Sequence, residues 1–300
     1  ELPELPELEP EIGVGEHCRR PRRCPFLERC SPEPGPYDLS RVPPGGHLHR
    51  EARALGMDDW RQLPGPLKLN RLQSRMLQAL NLGGALLDPS VLPGLRPDEP
   101  AHFLDFEAYA PALPPYVGMR PYDALLVQFS LHSTGPDGLR HQAFLVERGD
   151  PREQLARALI RALDEPGPIF VYGAFEGRAL GELAAGLPEL QPQITAIRER
   201  LVDLLPLVQE GCVHPDFGSG FGLKRVLPVL CPDEGYEDLE LVGGDVAAAS
   251  YAELVDPETA GYRREQLREG LLAYCMRDTL ALAKVREALI RLLREAAGSA

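Results

Sequence analysis

The sequence has no long apolar segment and contains few lysines. No apolar run reaches the roughly 18 residues of a membrane-spanning helix, and the opening ELPELPELEP has neither the basic nor the apolar region of a secretory signal. We therefore expect a cytoplasmic protein that makes no membrane contact. Only three residues are lysines, and the formal net charge is −13. This charge argues against tight non-specific binding of nucleic acid, which depends on basic side chains that neutralise phosphates.

The composition is that of an ordinary globular protein. Hydrophobic residues make up 44% and charged residues 26% of the 300 residues, which is enough apolar sequence for a sizeable core. We expect one main domain with an appendage. The first residue is Glu, and the Pro/Glu repeat that follows is typical of a linker, so we also expect this chain to be the C-terminal portion of a longer protein.

Three regions follow from the distribution of residue types. Residues 1–46 form a Pro- and Cys-rich linker, and residues 47–100 form a helical connector. In the connector, apolar residues recur at helical spacing from Lys68 to Leu82, which predicts an amphipathic helix. Residues 101–300 form the main domain.

The main domain begins with strands and continues mostly with helices. The predicted strands are HFLDFEAY (102–109), ALLVQFSLHS (124–133), LRHQAFLVE (139–147) and PIFVY (168–172), with LELVG (239–243) as a candidate last strand. The predicted helices are DPREQLARALIRALD (150–164), 175–187, 189–201 running toward LVDLLPLV, LKRVLPVL, 261–275 and 277–295. Three meander strands followed by crossovers predict an α/β fold with a mixed sheet flanked by helices.

Two carboxylates share one face of the first strand. Asp105 and Glu107 lie at positions i and i+2 of an otherwise apolar strand, so their side chains project from the same side of the sheet. Neighbouring buried carboxylates repel each other and lose hydration, and a divalent cation compensates for both effects. The alternative is a strand end whose acids point to solvent.

Further acids lie downstream. Tyr274 and Asp278 occupy positions i and i+4 of a helix and point the same way. Glu176 stands at the entry of a helix just after PIFVY, and Asp203 lies in the apolar stretch RLVDLLPLV. Either of these two acids could be a further ligand.

The chain resembles the DEDD exonucleases, which have a DnaQ-like, ribonuclease H-like fold. The resemblance covers roughly Pro64 to Leu280 and rests on seven stretches in order: FLDFEAY, PPYVGMRPYDALLVQFSLH, DPREQLARAL, IFVYGAFEGRAL, RLVDLLPLV, HPDFGSGFGLKRVLP and LLAYCMRDT. The bacterial branch in which such a domain follows a RecB-like nuclease domain is the most similar. The resemblance therefore implies a ribonuclease H-like, five-stranded mixed sheet in residues 101–300 and a RecB-like partner domain before residue 1.

The resemblance also assigns the site. The first exonuclease motif falls on Asp105 and Glu107, and the third falls on Tyr274 and Asp278, the tyrosine subtype. The second motif departs from the family, because VYGAFE offers Gly173 and Glu176 where an Asn and an Asp are usual. We favour Glu176 as the ligand, with Asp203 as the competing candidate.

The family mechanism uses two Mg²⁺ or Mn²⁺ ions held by Asp105, Glu107, Glu176 and Asp278. Tyr274 would orient the attacking water. Lys224 could hold a phosphate, although a surface role is the commoner one for a lysine.

These assignments predict a hydrolase, a 3′-5′ exonuclease acting on single-stranded DNA or RNA. The alternative is a catalytically weak or inactive nucleic-acid-binding or scaffold domain of a larger RecB-like nuclease, whose second motif has drifted. A third hypothesis is a structural module held by a metal at its cysteines, with incidental acids.

Three cysteines lie in the N-terminal extension, in EHCRRPRRCPFLERC. Clustered thiolates in a cytosolic protein bind metal more often than they form disulfides, so Cys18, Cys24 and Cys30 are candidate ligands of Zn²⁺ or an iron–sulfur cluster. The arrangement resembles that of RecB-like nucleases with an iron–sulfur cluster, in which one further cysteine lies far upstream. The alternative is three free thiols. We expect the other cysteines to be small core or near-surface residues: Cys212, Cys231 and Cys275.

Overall fold

The computed structural model describes most of the chain. The described residues are 14–18, 24, 26–30, 35–43, 47–63, 65, 67–135, 138–218, 220–236, 238–239 and 243–298. They divide into two compact units, residues 1–69 and 70–300. The predicted helical connector, 47–100, thus contributes to both units.

The first unit contains short helices and turns. Its α-helices are α1 (Leu27–Cys30) and α2 (Leu48–Ala54), and 3-10 turns occur at Glu16–Cys18, Leu39–Arg41 and Trp60–Gln62. Trp60 is buried and donates a hydrogen bond from Nε1 to the carbonyl of Pro36 at 3.0 Å. Its backbone also bonds to Tyr37, so a local pairing of two segments orders this part of the linker.

The second unit is a mixed α/β domain. Its strands are β1 (Leu86–Leu87), β2 (His102–Tyr109), β3 (Leu125–Gly135), β4 (Gly138–Leu145), β5 (Ile169–Val171), β6 (Leu201–Asp203) and β7 (Cys212–Val213). Its helices are α3 (Arg71–Leu82), α4 (Pro151–Ala162), α5 (Phe175–Gly186), α6 (Gln191–Glu199), α7 (Leu204–Gly211), α8 (Leu223–Leu230), α9 (Gly244–Val255) and α10 (Gly261–Gly298).

The principal sheet has five strands in the order β4-β3-β2-β5-β6. The β2, β3 and β4 strands form an antiparallel meander, whereas β5 and β6 run parallel to β2. The prediction of a five-stranded mixed sheet flanked by helices is therefore confirmed. A separate two-stranded sheet pairs β1 with β7.

Successive side chains of β2 point to opposite faces of the sheet and pack in different cores. Leu104 and Phe106 pack with α4, α5 and α6 on one face of the sheet. Phe103 points to the opposite face, into a core that includes α7, α8 and the C-terminal half of α10. Helix α9 and the N-terminal half of α10 pack on Leu125 and Val127 of β3. Because the side-chain period of a strand is two, Asp105 and Glu107 face α10 with Phe103.

The connector helix was predicted correctly and is capped at both ends. Asn70 and Gln73 form a capping box at the start of α3, and Gly83 ends it in the left-handed conformation at φ 66°.

Two predictions of secondary structure were wrong, and a third lies mostly outside the described residues. The helices expected at 261–275 and 277–295 are one continuous helix of 38 residues, because no Pro or Gly interrupts the sequence at residue 276. The helix expected to run into LVDLLPLV instead gives way to strand β6 at residues 201–203, which is the fifth strand of the sheet. Of the candidate last strand, residues 240–242 lie outside the described residues, and the described residues at its two ends, Leu239 and Gly243, are not in a strand.

Candidate metal centre

Strand β2 presents the first two carboxylates. Asp105 pairs in register with Ser130 and Glu107 with Gln128, and the register shifts directly after Glu107. Glu107 is 8% exposed, and Asp105 is half-buried. Among the described residues, no hydrogen-bond donor reaches the carboxylate of Glu107. The two acids thus lie side by side on the α10 face, and no hydrogen bond from the described residues compensates the charge of Glu107.

Helix α10 supplies the next side chains. Tyr274 and Asp278 are one turn apart, and Tyr274 is 4% exposed. The hydroxyl of Tyr236 donates a hydrogen bond to Oδ1 of Asp278 at 2.6 Å. Lys224, on α8, donates from Nζ to the Tyr274 hydroxyl at 2.8 Å. The structure therefore places Lys224 beside the third motif.

A buried polar network holds this part of α10 against the sheet. Thr279, which follows Asp278, has no exposed surface, and its hydroxyl lies 2.8 Å from both Ser130 Oγ and His132 Nδ1 of β3. The side-chain amide of Gln128 donates to the carbonyl of Leu271 at 2.9 Å. Since Ser130 and Gln128 are the partners of the acidic pair in the sheet, these bonds fix the distance between β2 and α10.

Glu176 and Asp203 have different surroundings. Glu176 lies in the first turn of α5, is 4% exposed, and its Oε2 has no hydrogen-bond partner among the residues that the structure describes. Asp203 caps helix α7, and its Oδ1 accepts from the backbone N–H groups of Leu205 at 2.9 Å and Gly173 at 2.8 Å. Asp203 thus has a structural role already, whereas Glu176 retains an unsatisfied carboxylate oxygen.

Gly173 explains part of the departure in the second motif. Its φ of 102° lies in a region that L-residues rarely adopt, so a glycine suits this backbone better than an asparagine. The glycine also brings its N–H to Asp203, which links the ends of β5 and β6.

The acids raise one another's pKa. Burial, followed by the charges of Asp278, Glu107 and Glu176, raises the pKa of Asp105 well above its usual range. Burial and the charge of Asp278 raise the pKa of Glu107 to about 8. Burial raises the pKa of Glu176 to about 7, with a further contribution from Asp203. These shifts mean that several acids share one poorly hydrated region, where the protein alone stabilises their charges incompletely.

The pKa values of Asp278 and Tyr274 are also raised, but by different combinations of burial, charges and hydrogen bonds. Burial raises the pKa of Asp278, and the hydrogen bond from Tyr236 and the charge of Lys224 oppose that rise. Burial, with the charges of Asp278, Glu107 and Asp105, raises the pKa of the Tyr274 hydroxyl. Tyr274 is therefore a neutral phenol at physiological pH.

A cavity of about 450 Å³ opens beside the acids. Asp105 and Asp278 line it, together with Lys224 and Arg225 of α8. Tyr172, at the end of β5, contributes an aromatic wall and donates a hydrogen bond to the carbonyl of Phe221 at 2.5 Å. The cavity thus joins clustered acids to two basic side chains, although the chain as a whole is acidic.

One group in the described ranges places three possible metal ligands together. The ligand atoms of Asp105, Glu107 and Cys275 all lie within 4.8 Å of one another. Cys275 has no exposed surface, and its thiol donates to Oδ2 of Asp105 at 3.5 Å. Cys212 is likewise buried and Cys231 half-buried, as expected for small core residues.

The sequence did not single out Tyr236 or Cys275 for the site. Tyr236 is isolated in a polar loop, and its contact with Asp278 spans 42 residues, so no local pattern signals it. Cys275 was assigned to the core because a single cysteine on a helix is usually a small apolar side chain. Its position next to Tyr274 in the third motif was the available signal.

The N-terminal cysteines belong to the first unit. Cys18 and Cys24 are half-buried, Cys30 is exposed, and the N–H of Cys24 bonds to the carbonyl of Cys18 at 2.8 Å. They do not form a group of closely spaced ligand atoms in the described part of the chain. A metal at these cysteines stays a prediction. The basic residues between Cys18 and Cys24 lie outside the described residues.

Comparison with known proteins gave one similarity. Residues 102–221 match the model of a family described as a domain of unknown function, DUF2779. The match begins at the first residue of β2 and contains Asp105, Glu107, Glu176 and Asp203, and it ends before Lys224 and α10. The searches of curated proteins and of solved structures gave no match. None of the helices in the described ranges combines the length and apolar character that crossing a bilayer requires.

Proposed function

We propose that this chain is a divalent-metal-dependent nuclease that hydrolyses phosphodiester bonds of single-stranded DNA or RNA. Two observations support it: Asp105 of β2 and Asp278 of α10 line one cavity, and the charges of Glu107 and Glu176 act on Asp105 in the same region. The DEDD resemblance supplies the 3′-5′ polarity, the ribonuclease H-like fold and the assignment to the tyrosine subtype.

The donor set fits hard divalent cations. Carboxylate oxygens are the ligands that Mg²⁺ and Mn²⁺ prefer, and Asp105, Glu107, Glu176 and Asp278 offer them. The unsatisfied Oε2 of Glu176 supports Glu176 as one of the metal ligands, because a buried carboxylate oxygen without a hydrogen-bond partner lowers the stability of the fold by about 1–3 kcal/mol or more. Asp203 is the weaker candidate, since its Oδ1 already accepts two backbone hydrogen bonds.

Bound divalent cations would supply two effects, a lowered pKa for a bound water and neutralisation of charge on the phosphate. The side chains of the protein bind the phosphate and orient the water. Lys224 and Arg225 face the cavity and can contact a phosphate oxygen. Tyr274 accepts a hydrogen bond from Lys224, so its own proton is free to donate to a water or to Asp278. Because its pKa is raised, Tyr274 orients water and does not act as a base.

Labelled oligonucleotides test the proposal directly. The protein is incubated with 3′- and 5′-labelled single-stranded DNA and RNA, in Mn²⁺ or in EDTA, beside Asp105→Asn. Asp164→Asn is the matched control, since Asp164 is exposed in the loop between α4 and β5 and does not line the cavity. We expect stepwise degradation from the 3′ end that EDTA and Asp105→Asn abolish and Asp164→Asn preserves.

Two results would contradict the proposal. Degradation that survives both EDTA and Asp105→Asn would exclude metal-dependent chemistry at these acids. Binding of the oligonucleotide without any degradation would favour a nucleic-acid-binding or scaffold role.

A further inference from the structure

The thiol of Cys275 lies where a ligand would be expected. Cys275 follows Tyr274 on α10, and its side chain turns toward β2 instead of into the apolar core alone. The Sγ atom is 3.5 Å from Oδ2 of Asp105 and within 4.8 Å of a carboxylate oxygen of Glu107. All three side chains belong to rigid elements, a strand and a helix held together by Thr279.

The spacing agrees with ligands that share one cation. Zinc–sulfur bonds are about 2.3 Å and zinc–oxygen bonds about 2.1 Å long, so two such ligands at the tetrahedral angle are about 3.6 Å apart. The observed separation of Sγ and Oδ2 is 3.5 Å. A thiol–carboxylate hydrogen bond has a similar length, but only a thiolate bound to a metal ion gives a charge-transfer absorption with cobalt.

Glu107 independently points to a ligand at this position. Its side chain is more than nine-tenths buried, and no donor within the described ranges hydrogen-bonds to it. It belongs to the same group as Asp105 and Cys275. A buried carboxylate in that position requires either a proton or a cation.

We infer that Asp105, Glu107 and Cys275 form a mixed oxygen and sulfur site that binds thiophilic divalent cations, such as Zn²⁺ and Co²⁺, more tightly than Mg²⁺. The inference deepens the proposed function and rests on it, because the same two strand carboxylates take part. Thiolate is a soft ligand and selects Zn²⁺ over the hard cation Mg²⁺. Binding converts the Cys275 thiol to a thiolate and releases its proton to solvent.

Cobalt provides a readout that does not depend on activity. A thiolate bound to Co²⁺ gives a sulfur-to-cobalt charge-transfer absorption in the near ultraviolet, whereas a site of oxygen ligands does not. The background protein carries Cys18→Ser, Cys24→Ser and Cys30→Ser, which removes the N-terminal thiols from the measurement. Cys275→Ser is then compared with Cys231→Ser, a half-buried cysteine outside the group.

We expect the absorption in the background protein and in Cys231→Ser, and its loss in Cys275→Ser. Calorimetry should show that Cys275→Ser weakens Zn²⁺ binding by at least roughly 10- to 100-fold, which is the range seen when only a hydrogen-bond partner of a metal ligand is removed. Mg²⁺ and Mn²⁺ binding should change far less. If Cys275→Ser does not fold, Asp105→Asn in the same background keeps the thiol and should also abolish the absorption.

The outcomes separate the two proposals. Mn²⁺ binding without any cobalt–thiolate absorption, or absorption that persists in Cys275→Ser, would overturn the inference and leave the proposed function standing. Absence of Mn²⁺, Co²⁺ and Zn²⁺ binding alike would overturn both.

Discussion

Replacing Glu107 by Gln should stabilise the metal-free protein, and the effect should grow with pH. The folded-state pKa of Glu107 is raised to about 8 from 4.5 by burial and by Asp278. An acid with a raised pKa destabilises the fold once it ionises, so stability is lost as the pH rises from about 4.5 to about 8. Glutamine has nearly the same shape and cannot ionise, which removes this loss.

The size of the effect follows from the shift. Each pKa unit corresponds to about 1.4 kcal/mol, so the penalty is below about 1 kcal/mol at pH 5 and on the order of 3–5 kcal/mol at pH 8. Part of the gain is offset because the buried amide also needs hydrogen bonds, at about 1–3 kcal/mol. We therefore expect Glu107→Gln to be more stable than the parent by roughly 0–4 kcal/mol at pH 8 in EDTA, and its advantage to grow by about 2–4 kcal/mol between pH 5 and pH 8.

Urea denaturation at pH 5 and pH 8 measures this difference. Glu189→Gln is the matched control, because Glu189 is exposed and does not line the cavity. Saturating Mn²⁺ should reverse the order at pH 8, since the parent gains binding free energy that the variant loses. A stability difference between Glu107→Gln and the parent that stays the same at pH 5 and pH 8 in EDTA would refute the argument that the charge of Glu107 is electrostatically uncompensated.

Three further predictions concern other parts of the domain. Glu176→Gln should also gain stability over the parent in EDTA as the pH rises from about 4.5 to about 7, because burial raises the pKa of that acid. The same variant should lose Mn²⁺-dependent degradation, and an unchanged nuclease rate would exclude Glu176 as a ligand. Tyr236→Phe should weaken Mn²⁺ binding, because Asp278 loses the hydrogen bond that opposes the rise of its pKa. Calorimetry measures the affinity, and equal Mn²⁺ affinities of parent and variant would contradict a role of Tyr236 in holding Asp278 ionised. Gly167→Ala should lower the free energy of unfolding by about 1–3 kcal/mol. The reason is that φ at Gly167 is 132° and a Cβ would lie 2.7 Å from the carbonyl oxygen of Pro100. Urea denaturation that gives the parent stability would disprove this prediction.

Local patterns in the sequence predicted much of the fold. Strand β2 was placed correctly at 102–109, and the meander with β3 and β4 followed from apolar runs joined by a glycine-containing turn. These elements carry their own signal, because each is long enough to show a period or a continuous apolar run. The ribonuclease H-like assignment rests on the resemblance and stays a prediction.

The errors occur where a local signal is missing. Strand β6 has three residues, too few for a period, and the apolar residues that follow it belong to α7. The contacts of Lys224 with Tyr274 and of Tyr236 with Asp278 join residues 50 and 42 positions apart. Such pairs depend on the packing of α8 and the following loop against α10, which no window of sequence contains.

The continuity of α10 sets a rule for how the length of this chain can vary. The helix has 38 residues and is about 57 Å long. Along one of its sides it carries the third motif and then the core residues Leu282, Val285 and Leu289. One inserted residue between Tyr274 and Leu289 would turn everything beyond it by about 100° and separate the motif from the core that supports it. A single substitution along this helix changes one contact, whereas an insertion or deletion between Tyr274 and Leu289 would displace the third motif relative to the core residues that follow it.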